Sequence, residues 1–127
     1  MPTTALRQPL RRAIILALPG LVLGSVRASA HAILVESQPP AGASVAIGRL
    51  AVSLRYNSRI DRARSRLGLV APDHSEAVLQ ISPDGPPNVI SSVTELGSPG
   101  AYVLRWQVLA VDGHITRGDV PFTVTGR

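Results

Sequence analysis

Past residue 31 the chain is divided by clusters of turn residues. They are Ser37-Gln38-Pro39-Pro40-Ala41-Gly42, Ala71-Pro72-Asp73, Ser82-Pro83-Asp84-Gly85-Pro86-Pro87 and Gly97-Ser98-Pro99-Gly100. Proline withholds a backbone donor and glycine admits the backbone angles of tight turns, so each cluster ends an element. Between the clusters, residues alternate apolar and polar. Leu50, Val52, Leu54 and Tyr56 alternate with Ala51, Ser53 and Arg55; Tyr102, Leu104, Trp106 and Val108 alternate with Val103, Arg105 and Gln107. A period of two is that of a half-buried strand. Further strands are expected over 32–36, 66–70, 76–81, 89–93 and 120–124. No window after residue 31 keeps a helical stripe for three turns. Seven short strands in about a hundred residues predict an all-β, seven-stranded immunoglobulin-like (Greek-key) β-sandwich. Trp106 is expected in the core between the sheets. Tyr102, just past Pro99-Gly100, stands where a tyrosine corner would stand.

The first thirty residues are of another kind. Arg7, Arg11 and Arg12 precede a mostly apolar run from Ala13 to Leu23, and Ala28-Ser29-Ala30 offers a small-residue cleavage site. This is the pattern of a cleaved secretory signal peptide, 1–30, ahead of a single domain, 31–127. The apolar run is short for a membrane span and is broken by Pro19-Gly20. Arg11-Arg12 leaves the export route open between the general and twin-arginine pathways.

Cleavage changes the charge. Nine of the thirteen basic residues, all arginine, remain against all eight acidic ones. The high isoelectric point is therefore no argument for nucleic acid, and none is expected as a partner. Arg59, Arg62, Arg64 and Arg66 cluster without interleaved aromatics. They read as a solvated edge or turn. The chain has no cysteine, which excludes disulfides, thiolate metal sites and cysteine nucleophiles. No nucleophile elbow and no phosphate-binding glycine loop is present.

Three histidines occur, at 31, 74 and 114. Cleavage after Ala30 would make His31 the first residue, with a free α-amine and a ring nitrogen able to close a six-membered chelate on one metal. Asp112 and His114, two residues apart after the most regular strand, lie on one face if the segment is extended. Together the three residues supply three nitrogens and one oxygen. Such a set suits Cu(II); nickel or zinc could use the same donors, with the affinity order favouring copper. The only methionine is Met1, which goes with the signal, so a thioether Cu(I) site is excluded. A free terminal amine titrates at roughly pH 8, so binding should weaken in acid. His74 reads as a solvated loop histidine.

The whole segment after the cleavage site resembles the CopC family of periplasmic copper-binding proteins. The matching residues are His31, then Leu34-Val35-Glu36-Ser37-Gln38-Pro39-Pro40-Ala41-Gly42, Leu54-Arg55-Tyr56-Asn57-Ser58, Pro99-Gly100-Ala101-Tyr102-Val103-Leu104-Arg105-Trp106, Asp112-Gly113-His114, Gly118 and Phe122-Thr123-Val124. The resemblance implies a periplasmic Cu(II) carrier serving copper resistance or import. It also implies copper held by His31, Asp112 and His114, and a CopD-type inner-membrane partner. Two departures stand out. Ser58 occupies a place where many members carry glutamate, and Ile115 follows His114 where members commonly have proline.

Two other functions compete with a monomeric copper carrier that is not an enzyme. One is a small copper oxidase built on the same histidine chelate. It would need an aromatic or polar substrate surface, for which Tyr56, Tyr102, Trp106 and Phe122, mostly expected inward, provide little. The other is a metal-free immunoglobulin-like interaction module.

Overall fold

A computed structural model describes residues 31–126. The expected signal segment lies outside the described residues. Eight strands run in order: β1 (Leu34–Gln38), β2 (Ser44–Ala46), β3 (Gly48–Tyr56), β4 (Arg66–Val70), β5 (Glu76–Leu79), β6 (Val89–Leu96), β7 (Gly100–Leu109) and β8 (Ile115–Thr125). They form a three-stranded sheet, β1-β3-β6, and a five-stranded sheet, β2-β8-β7-β4-β5. The seven expected strands are all present, and β2 is a short addition that pairs in parallel with the end of β8. The chain stays in one sheet only between β4 and β5 and between β7 and β8 and changes sheet at every other connection, as in the Greek-key wiring of an immunoglobulin-like sandwich.

Alternation along the strands builds the core. Val52, Leu54 and Tyr56 from β3 and Ile90 from β6 face Leu67 from β4 and Leu104, Trp106 and Val108 from β7. Val120, Phe122 and Val124 complete it from β8. Each large side chain so buried contributes about 1.5–3 kcal/mol. Tyr56 and Trp106 meet edge to face, with ring centroids 5.3 Å apart. Trp106 also needs Gly118, its cross-strand partner. A Cβ on Gly118 would lie 2.4 Å from the indole. All four aromatic residues other than histidine are buried, as the alternation requires.

Tyr102 forms the expected corner. Its hydroxyl donates to the Ser98 carbonyl at 2.7 Å, and its ring stacks on Phe122 at 5.7 Å. The arginine cluster departs from expectation at Arg62, in the 3-10 turn Arg62–Arg64. Its guanidinium is not a solvated edge charge. It donates to the carbonyls of Val89, Pro83, Gly85 and Pro86 and so holds the proline-rich loop before β6. A loop with three prolines has few donors of its own, and the planar five-donor fork of arginine serves its carbonyls.

Candidate metal centre

Strands β7 and β8 end at the same edge of the sandwich, where Leu109 stands opposite Ile115. A tight turn joins them. The Gly113 amide donates to the Ala110 carbonyl, and the Ala110 amide donates to the His114 carbonyl. Gly113 has φ of +89°, a conformation that favours glycine at that position. Asp112 caps the turn, its Oδ1 accepting from the His114 backbone amide at 3.0 Å. The other carboxylate oxygen lies 2.7 Å from His114 Nδ1. Asp112 and His114 thus converge through a turn and not, as the sequence spacing suggested, along an extended segment.

His31 reaches this turn from the far end of the domain because the residues after it are tied down. Ala32 is buried. Its carbonyl accepts from Thr116 Oγ1 at 3.0 Å. The Ile33 amide donates to Asn57 Oδ1 at 2.8 Å, and the Asn57 amide donates back to the Ile33 carbonyl at 3.0 Å. The His31 ring then lies beside that of His114, with centroids 4.5 Å apart and planes tilted by 32°. One ligand atom from each of His31, Asp112 and His114 can be chosen so that all lie within 4.8 Å of one another. All three residues are exposed.

The electrostatics suit a cation. The backbone amide of His114, then its ring, holds the Asp112 carboxyl below the usual carboxylate range. The site therefore keeps a carboxylate, the charged form that attracts a cation, beside the two histidine rings. Two donors on one ion, each at roughly 2 Å, stand no more than about 4 Å apart. The donors here are already close to that. The set is nitrogen and oxygen with no sulfur, a borderline-to-hard combination that fits a divalent transition metal.

His74 is not part of the cluster. It occupies a left-handed position, φ of 70°, in the turn between β4 and β5, next to an Asp73 carboxylate that accepts from Ser75. Ser58 is half-buried, and its Oγ has no hydrogen-bond partner among the described residues. Asn57 and Thr116 are the residues that sequence reasoning left without a role. Neither carries metal chemistry, and both act by fixing the Ala32-Ile33 backbone.

Comparison with known proteins places this geometry in context. The family model described as "CopC domain" matches residues 34–125. Protein YobA of Escherichia coli K12 is 28% identical over 127 residues, covering 98% of this chain and 99% of that protein. Among solved structures, CopC from Methylosinus trichosporium OB3b matches with a TM-score of 0.67 and 28% identity, covering 76% of this chain and 96% of that one. PcoC, a methionine-rich copper resistance protein from Escherichia coli, matches with a TM-score of 0.63 at 24% identity, over 76% of this chain and all of that one. At that identity the likeness to PcoC is one of fold.

Proposed function

The chain belongs to the CopC family, and on that premise we propose that it is a periplasmic Cu(II)-binding protein that carries copper for resistance or import. The observation that carries the reading is the convergence of His31 with Asp112 and His114, residues from opposite ends of the domain, at one exposed point. In this reading a signal peptide, 1–30, is removed after Ala30 and the domain 31–127 acts in the periplasm. Removal gives His31 the amine that completes three nitrogens and one oxygen around Cu(II). His31 binds through amine and ring, His114 through its ring, and Asp112 through its carboxylate. Asn57 and Thr116 hold the entering strand so that the amine falls within reach.

Exposure of the two histidines supports a carrier more than a storage site, since a partner can approach the metal from their side. That partner is a CopD-type inner-membrane protein, and the carrier acts as a monomer. Among the described residues no helix is long and apolar enough to cross a membrane. A small copper oxidase on the same chelate is disfavoured by the burial of Tyr56, Tyr102, Trp106 and Phe122, which leaves none of these rings at the surface for substrate. A titration of the processed protein with Cu(II), followed by electron paramagnetic resonance, tests the assignment. One equivalent should give a nitrogen-coordinated type-2 spectrum, and His114→Ala should abolish it. An unchanged spectrum and affinity in that variant would remove this site.

A further inference from the structure

The outer face of the five-stranded sheet carries a feature that copper binding does not use. A trough of about 510 Å³ crosses β4, β7 and β8 there. Its shape follows from register. Gly68 of β4 stands between Val78 of β5 and Arg105 of β7, and Arg105 stands opposite Asp119 of β8. With no side chain on Gly68, the row is open at its centre. The Glu76 carboxylate leans into that opening; Oε2 would lie 2.7 Å from a Cβ placed on Gly68.

The charges in the trough are unevenly matched. Its two carboxylates both go to Arg105, Asp119 at 3.2 Å and Glu76 at 3.5 Å. The neighbouring outward row is Arg66, Gln107 and Arg117, one residue from each of β4, β7 and β8. Arg117 donates to Gln107 Oε1 at 2.8 Å. Among the described residues no carboxylate pairs with Arg66 or Arg117. Neighbouring strands are about 4.8 Å apart, so two long arginines flanking one glutamine can reach a single ligand. The guanidinium fork matches a carboxylate with two parallel hydrogen bonds. Val78, 78% exposed, adds an apolar wall that an inorganic anion would not use.

We propose that this trough binds a carboxylate-bearing organic ligand, with Arg66 and Arg117 as the charges that hold it. The carboxylate comes either from a small free acid or from an acidic side chain of a peptide. The site is separate from the copper ligands and stands or falls independently of them.

The test uses metal-free, isotope-labelled protein, titrated separately with glutarate, with a blocked tri-glutamate peptide and with inorganic phosphate, while amide resonances are followed by NMR. At least one carboxylate probe should give saturable shifts along β4, β7 and β8. Saturation by glutarate identifies a small-acid site, and saturation by the peptide alone identifies an acidic partner segment. The double variant Arg66→Ala/Arg117→Ala should weaken that binding by about fivefold or more. Arg59→Ala, which removes an exposed charge outside the trough, should leave it unchanged. Absence of saturable shifts with both carboxylates, equal binding of phosphate, or equal affinity in the double variant would each overturn the proposal.

Discussion

The two ends of the β7–β8 pair are made from the same strands and do opposite things. At the Gly100 end, Tyr102 and Phe122 are buried and stacked, and the Tyr102 hydroxyl donates to the Ser98 carbonyl. At the Leu109 end, the turn through Asp112 and His114 is exposed and carries polar groups turned toward one another. One end closes the sandwich and the other opens it. Chemistry placed at the open end takes little from the core. Its donors should therefore tolerate change without unfolding of the domain, and damage to the core should leave the donors in place.

The largest effect should come from the core between the two ends. Trp106→Ala removes an indole packed on Tyr56 and Gly118 and should cost about 3–5 kcal/mol in denaturant unfolding. Next come two buried tyrosines, one whose hydroxyl has a partner and one whose hydroxyl has none among the described residues. Tyr102→Phe breaks the corner hydrogen bond and should cost about 1 kcal/mol. Tyr56→Phe should cost nothing or stabilise slightly, because the Tyr56 hydroxyl is buried with no partner among the described residues. Equal losses in the two variants would show that the corner contributes only its ring.

At the open end the metal-free protein should hardly respond. His114→Ala should shift unfolding by less than about 0.5 kcal/mol, as expected for an exposed site. Cu(II) should raise the melting temperature of the native protein and not that of the same variant, since a ligand bound only to the folded state must raise its stability. A large loss of stability without metal would mean that the turn is part of the core.

The smallest effect is on pH dependence. The Asp112 carboxyl is held below its ordinary range in the folded protein by the His114 amide and ring. A depressed folded value means stabilisation that is full above the unfolded value, near pH 4, and lost as pH falls through the folded one. Asp112→Asn should therefore flatten the acid limb of the stability profile below about pH 4 and lower stability slightly at neutral pH, where the carboxylate's contribution is full. Copper should leave at higher pH than that, because protons compete for the nitrogen donors first.

The sequence made different parts of the molecule legible for different reasons. The strand over 66–70 was readable to the residue, because Arg66 and Ala71-Pro72 bound a short apolar run. β8 begins at Ile115, five residues before its apolar alternation becomes visible. Gly118 hides that start, being there to make room for Trp106 on the facing strand. β2 is three residues long and pairs in parallel, leaving no period to detect. Arg62 looked like its neighbours Arg59 and Arg64, since its carbonyl partners lie more than twenty residues away. The candidate donors were legible because metal chemistry restricts residue type. Their means of convergence was not: Asn57 and Thr116 act on backbone atoms that any sequence would supply.

The central claim is that removing residues 1–30 makes the copper site, by giving His31 an amine where the longer chain has an amide. Two purified forms decide it, one beginning at His31 and one beginning at Ala30, each titrated with Cu(II) against a competing chelator at neutral pH. Losing even an outer partner of a metal ligand costs 10–100-fold, so losing a direct donor should weaken the Ala30 form by at least about tenfold. Equal affinity in the two forms would contradict the claim.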